Sequence, residues 1–221
     1  MIEYVVPHNI DDRVLSKAAR LLEGGGLIAL PTDTSWSIAC SLKSPVGIKK
    51  LRKLSGERDE RHFTLLCSNI SQFGELCSMD TSRFRLINRL SPGPYVFILK
   101  TLLGTEKSLD IRRHEAGVRI PDHPIPLSLI ETIQHPLYSI TAKKMMLEDY
   151  EFADTTTSEE TELPSIPEED LFEGGWEIDG IDGVDLILDS GEERERIFST
   201  ILDISGEEIR LLRMGAGPWP I

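Results

Sequence analysis

Residues 12 to 34 read DRVLSKAARLLEGGGLIALPTDT, and the order of patterns in this stretch decides the fold class. Val14, Leu15, Ala18, Ala19 and Leu22 recur at helical spacing, Asn9 or Asp11 stands where an N-cap belongs, and Gly24-Gly25-Gly26 ends the pattern, so residues 12 to 23 form a helix. The following run, Leu27-Ile28-Ala29-Leu30, is too short for a second helix and is stopped by Pro31; it reads as a buried strand. Pro31-Thr32-Asp33-Thr34 then lies beyond the carboxyl end of that strand, where open α/β sheets border their ligand crevice. Two hydroxyls and a carboxylate there can orient a small polar substrate, or they can hydrogen-bond their own backbone as a capped turn.

The alternation continues along the chain. A strand over Ser35 to Leu42 is followed by Ser44-Pro45, an N-cap and first-turn proline for a helix through Leu54 that Gly56 closes. Phe63 to Cys67 is a strand, Asp80 or Thr81 caps a helix carrying Phe84, Leu86, Ile87 and Leu90, and Ser91-Pro92-Gly93-Pro94 breaks it before a strand over Tyr95 to Lys100. Further strands are expected at Gly117 to Ile120, Leu137 to Thr141, Val184 to Asp189, Phe198 to Asp203 and Ile209 to Arg213. Strands interleaved with helices predict an α/β domain with a twisted, mostly covered sheet.

The composition suits a soluble globular chain of 221 residues, 40% hydrophobic and 28% charged, with no run approaching the ~20 apolar residues of a membrane span. The N-terminal MIEYVVPHNIDD carries acids where a secretory leader carries bases, so a cytoplasmic location is expected. Cys40, Cys67 and Cys77 are odd in number, form no C-x-x-C pair and lie in apolar runs, which makes them small core residues. The formal charge of -13 argues at first against phosphate-bearing partners. Residues 148 to 185, however, hold fifteen of the 37 acids and no Lys or Arg, and without them 22 acids face 24 bases. The middle of this segment, TTTSEETELPSIPEED, has few large apolar residues, so residues 147 to 183 are read as a mobile acidic insertion in a single domain spanning 1 to 221.

Within the near-neutral body, Lys49, Lys50, Arg52, Lys53, Arg58 and Arg61 concentrate cations that could neutralise a triphosphate or simply form a solvated helix face. The turn at Ser91 to Tyr95 can press backbone N–H groups against an anion, or merely stop a helix. Arg119, ending a short apolar strand in Val118-Arg119-Ile120-Pro121, needs a partner, either a structural carboxylate or an anionic ligand. Ser139-Ile140-Thr141-Ala142-Lys143-Lys144 leads alternating hydroxyls into two lysines. Walker, dinucleotide-binding, nucleophile-elbow and zinc-protease templates are all absent, and five scattered histidines offer no metal-ligand spacing.

Taken in order, these segments resemble the YrdC/YciO family. A PTDT loop, a Lys/Arg segment, a PGP turn into a strand, an RxP strand end and a TSAN-like strand correspond to Pro31 to Thr34, Lys49 to Arg61, Pro92 to Pro94, Arg119 to Pro121 and Ile140 to Lys143. The resemblance covers residues 8 to 145 and resumes at 184 to 217 with Ser199-Thr200 and Arg213-Met214-Gly215-Ala216, and it is closer to the YciO-like branch. It implies a single YrdC-like α/β domain, a twisted mixed sheet with helices around a concave, positively charged groove. It further implies ATP as substrate with Mg2+, L-threonine as a small-molecule partner and double-stranded RNA as a possible one. The family's synthases join L-threonine, bicarbonate and ATP into threonylcarbamoyl-adenylate for tRNA modification. By the same resemblance Thr32, Thr34, Arg119 and Ser139 would bind the small substrate, while Lys50, Lys53, Arg58, Pro94, Tyr95, Thr141, Ala142, Ser199 and Arg213 would bind the nucleotide. Two alternatives stand beside the synthase: a non-catalytic RNA- or ribosome-binding module, and an enzyme for another small substrate. The departures are Lys53-Leu54-Ser55 for Lys-x-Arg, Lys143 for the TSAN asparagine, Val96 for the threonine after PGP, and Ser35-Trp36-Ser37 after PTDT.

Overall fold

Side-chain caps fix where the helices begin. In the computed structural model, which describes residues 1–56, 63–102, 114–147 and 167–220, Asp11 accepts from the Arg13 N–H at 2.8 Å and starts α1 (Asp12–Glu23). Ser44 accepts from Gly47 N–H at 3.2 Å and starts α2 (Pro45–Leu54). Asn69 and Asp80 cap α3 (Ile70–Leu76) and α4 (Thr81–Leu90). The Nδ1 of His123 accepts from Ile125 N–H at 3.2 Å and opens α5 (Pro124–Ile133). A single turn, α6 (Gly175–Ile178), completes the set among the described residues.

The strands are β1 (Ile2–Tyr4), β2 (Ile28–Leu30), β3 (Ser37–Ser41), β4 (Thr64–Leu66), β5 (Tyr95–Lys100), β6 (Glu115–Arg119), β7 (Leu137–Thr141), β8 (Leu186–Asp189), β9 (Thr200–Asp203) and β10 (Arg210–Arg213). They form one mixed sheet in the order β1-β8-β2-β3-β7-β4-β6-β5-β9-β10. Period-two alternation sends Ile28, Leu30, Ala39, Leu66, Leu137, Leu186 and Leu188 to one face, where Ala18 and Leu22 of α1 and Ile125, Leu129 and Ile130 of α5 cover them. Ala29, Ile38, Cys40, Leu65, Phe97, Val118, Ile140 and Ile187 point the other way, toward Ile48 and Leu51 of α2, Phe73 of α3, Ile87 of α4 and Ile178 of α6. Both faces are therefore apolar, as a covered sheet requires. Cys40, Cys67 and Cys77 are buried in this core, and desolvation pushes the thiols of Cys40 and Cys77 up to about 12, which leaves them inert at neutral pH.

The sheet is strongly curled. β2 and β9 are six strand steps apart, about 29 Å along a flat sheet. Yet Thr34 Oγ1, in the loop after β2, lies 3.2 Å from Ser199 Oγ, the residue before β9. The stretch Ser190 to Ser199 makes the return crossing, from β8 on one arm of the sheet to β9 on the other.

Four elements escaped the sequence reading: β1, α3, α5 and α6. Pro124 and Pro126 look like helix breakers, but both sit in the first turn of α5, where an amide hydrogen is not needed. The expected mobile insertion at 147 to 183 also needs correction over its described part. Residues 148–166 lie outside the described residues. After them Leu171, Phe172, Ile178 and Ile181 are buried, and Lys143 bridges to Leu171. The acid count averaged over these apolar anchors and hid them. No helix among the described residues is long and apolar enough to cross a membrane.

Candidate functional site

The curled sheet brings the 31–36 loop, the end of β6, the Gly93 turn and the start of β9 to one place. Thr32, Thr34, Arg119 and Ser199 are all buried there. Arg119 donates from Nη1 to Thr34 Oγ1 at 2.9 Å and to Ser199 Oγ at 2.6 Å, from Nε to the Gly93 carbonyl at 3.2 Å, and from Nη2 to Asp33 Oδ1 at 2.5 Å. The same Asp33 oxygen accepts from the Asp122 N–H at 3.0 Å. Burial drives the Arg119 pKa down, and the Asp33 carboxylate partly offsets this. The cation at the strand end thus has a structural carboxylate as its partner, the first of the two options open in the sequence.

Proton accounting orders the hydroxyls. Thr32 Oγ1 donates to the Ser35 carbonyl at 2.7 Å, so at 3.2 Å it can only accept from Thr34 Oγ1. Thr34, its hydrogen used, then accepts from Ser199 Oγ. The chain Ser199 to Thr34 to Thr32 to Ser35 is directed one way, and every hydroxyl hydrogen in it has a partner.

A second guanidinium closes the cluster. Arg213, ending β10, donates through Nε and Nη2 to the Ser199 carbonyl at 3.1 and 3.0 Å and lies over the Phe198 ring at 4.5 Å. Burial first, and the nearby charge of Arg119 second, push its pKa down to about 10. Behind it, Gly215 N–H donates to Thr200 Oγ1 at 3.0 Å, and a Cβ on Gly215 would fall 2.2 Å from the Phe198 carbonyl oxygen. The Pro94 carbonyl accepts from Thr200 N–H at 2.9 Å, and the Tyr95 hydroxyl donates to the Pro218 carbonyl at 2.8 Å, so both abut the same strand start.

The other residues singled out in the sequence lie apart from this network. Ser139 Oγ donates to the Thr64 carbonyl at 2.8 Å inside the sheet. Thr141 pairs with Ser37, and Ala142 N–H donates to the Trp36 carbonyl at 2.9 Å, so the end of β7 meets the far end of the 31–36 loop. Lys50 and Lys53 are exposed on α2. Arg58 and Arg61 lie outside the described residues. Sequence reasoning noted Asp33 only as a loop carboxylate and missed Gly93 as an acceptor. The available signal was electrostatic: a buried arginine at one strand end and a carboxylate at another call for each other.

Among the described residues no group of three His, Cys, Asp or Glu side chains could hold a metal ion. The donor set around Arg119 is cationic and suits anions rather than a divalent ion.

The family model Sua5_yciO_yrdC, described as "Telomere recombination", matches residues 20–163. The chain is 27% identical over 215 residues to the uncharacterized protein YciO of Escherichia coli, covering 97% of this chain and 95% of that one. The crystal structure of E. coli YciO superposes with a TM-score of 0.74 at 25% identity, covering 98% of this chain and 96% of that one. A threonylcarbamoyl-AMP synthase of Enterobacter sp. is 30% identical over 131 residues, 58% of this chain and 69% of the synthase. At the level of fold, P. abyssi Sua5 complexed with L-threonine matches with a TM-score of 0.77 at 22% identity, over 97% of this chain and 57% of Sua5. With its mixed α/β sheet and with the loop, turn and strand-end segments in family order, the chain belongs to the Sua5/YciO/YrdC family, related to the threonylcarbamoyl-AMP synthases.

Proposed function

We propose that the protein is a nucleotide-dependent enzyme of the threonylcarbamoyl-adenylate synthase type. It would combine L-threonine, bicarbonate and ATP into threonylcarbamoyl-adenylate, pyrophosphate and water, in tRNA modification. The observation that carries this reading is the convergence of Thr32, Thr34, Arg119, Ser199 and Arg213, drawn from four distant parts of the chain, on one buried network. Such a cluster supplies positioning and positive charge rather than a nucleophile. That is what joining an amine, bicarbonate and a phosphoanhydride demands. In this reading Arg119 and Thr34 hold the amino acid. Arg213 and Ser199 would contact the nucleotide beside it, and Lys50, Lys53 and Arg58 would neutralise the phosphates, with Mg2+ carried on the ATP. Pro94, Tyr95, Thr141 and Ala142 would flank the nucleotide, and Ser139 would stiffen the strand beneath.

The test is direct: incubate the protein with ATP, bicarbonate and labelled L-threonine and look for a labelled adenylate with stoichiometric pyrophosphate. No product at enzyme concentrations near those of the substrates would overturn the synthase reading.

A second reading rests on specific residues. Leu54-Ser55 stands in place of the family's x-Arg, Lys143 in place of the TSAN asparagine and Val96 in place of a threonine. Losing a ligand-fitting hydroxyl or amide costs about 1–3 kcal/mol, roughly tenfold to a hundredfold in affinity. These changes favour a relative that keeps the fold but acts on another small substrate, or that binds structured RNA without chemistry. Thermal-shift screening of amino acids and nucleotides separates the first. RNA affinity that falls steeply with salt would mark the second.

A further inference from the structure

The network leaves a specific pair of groups without partners. The carboxylate plane of Asp33 is fixed, because its Oδ1 takes the Arg119 Nη2 donor on one side and the Asp122 N–H on the other. Its second oxygen, Oδ2, is buried and has no hydrogen-bond partner among the described residues. A buried acceptor left unmatched costs on the order of 1–3 kcal/mol, more when charged. No hydroxyl in the network relieves it. The hydroxyl hydrogens of Thr32, Thr34 and Ser199 are all directed elsewhere.

The donors show the complementary surplus. A guanidinium carries five N–H groups. Four of those on Arg119 reach Gly93, Thr34, Ser199 and Asp33, which leaves one on Nη2. Arg213 uses Nε and one hydrogen of Nη2 on the Ser199 carbonyl, and its Nη1 makes no hydrogen bond among the described residues. The cluster therefore holds two guanidiniums against one carboxylate, with spare donors on the cations and a spare acceptor on the anion. A ligand that completes it must accept from the arginines and donate to Asp33. A fully deprotonated anion such as sulfate does only the first, and a simple amine only the second. The zwitterionic head of an α-amino acid does both, with carboxylate and ammonium held a short fixed distance apart.

We propose that Asp33 Oδ2 is the acceptor for the α-ammonium group of the small substrate and so selects amino acids over hydroxy acids and other carboxylates. This rests on the reading that Arg119 and Thr34 form the small-substrate site. It adds a residue role and a selection rule to that reading.

Calorimetric titration, run with and without ATP, compares L-threonine with its des-amino analogue 3-hydroxybutyrate on the wild type and on Asp33→Asn. The wild type should prefer L-threonine by roughly tenfold or more, and Asp33→Asn should bring the two ligands within about twofold of each other. A wild type that binds both ligands equally overturns the proposal and leaves the small-substrate site standing. So does an Asp33→Asn variant that keeps the full preference. A wild type that binds neither ligand overturns the proposal together with the functional reading beneath it. Should Asp33→Asn fail to fold, the wild-type comparison still decides, because it needs no variant.

Discussion

Arg119→Ala separates structure from binding more sharply than any other change. If the side chain only faced a ligand, its removal would cost affinity and little stability. Its geometry says otherwise: it is 4% exposed, and it anchors Asp33, Thr34, Ser199 and the Gly93 carbonyl at once. Truncation strips the Asp33 carboxylate, itself 14% exposed, of its paired cation and leaves three further acceptors short of a donor. Breaking a buried pair from one side costs about 3–5 kcal/mol. For a domain of this size each kcal/mol moves the midpoint by roughly 2–4 °C, so Tm should fall by on the order of 6–20 °C. Urea unfolding should give the same loss with an unchanged slope. The matching double variant, Arg119→Ala with Asp33→Asn, should recover part of it, with a coupling of about 0.5–3 kcal/mol. A Tm within about 2 °C of wild type, together with simple additivity in the double variant, would refute the buried-pair reasoning.

Four other outcomes follow from the same structure. Ser44→Ala removes the cap of α2 and should cost about 1 kcal/mol in urea unfolding, while Asn at this position should largely preserve stability. Gly215→Ala drives a Cβ to 2.2 Å from the Phe198 carbonyl oxygen and should destabilise by about 1–3 kcal/mol, with the Arg213 contacts shifted in the same variant's crystal structure. Lys50→Ala with Lys53→Ala, on an exposed face, should leave Tm unchanged and weaken ATP binding by roughly tenfold in calorimetry; an unchanged Kd would reassign those lysines to a solvated face. Burial, then Arg194 and His8, holds the His123 imidazole down to about 3 from the ordinary 6.5. Between those values the unfolded chain binds the extra proton, so stability should fall on acidification from pH 6.5 to 3, by up to about 5 kcal/mol. His123→Asn keeps a capping oxygen and should flatten that slope.

The central architecture was readable because its signals are local. Capped helices that end in glycine and feed short apolar runs place α1 and β2, and Ser44-Pro45 marks α2 to the residue. β5 and β7 agree with expectation end to end because apolar runs and prolines bound them. What stayed hidden depends on position in space. Leu171 and Phe172 are ordinary in an acidic stretch until the fold supplies a core for them. Thr34 and Ser199 stand 165 residues apart, and only the curl of the sheet joins them. The sequence could say that Arg119 needs an anion but not which one, since Asp33 becomes its neighbour only after the two arms meet.

The crossing from Ser190 to Ser199 has a mechanical meaning. Its ends are the strands β8 and β9, seven steps apart in the sheet, about 34 Å if that sheet were flat. Eleven residue intervals separate Asp189 from Thr200 and reach at most about 36–40 Å. Fully extended, the crossing would only just span the flat sheet, and it turns at Gly191, where φ is 72°, so its chord is shorter than its contour and suits a bent sheet. It acts as a bowstring, a covalent chord that holds the bent sheet bent. Thr34 belongs to one limb of the bow, Arg119 and Arg213 to the other, and Ser199 is the knot where the string is tied. The bend that joins the site's two halves is therefore limited by the length of that crossing as well as held by the hydrogen bonds at its end.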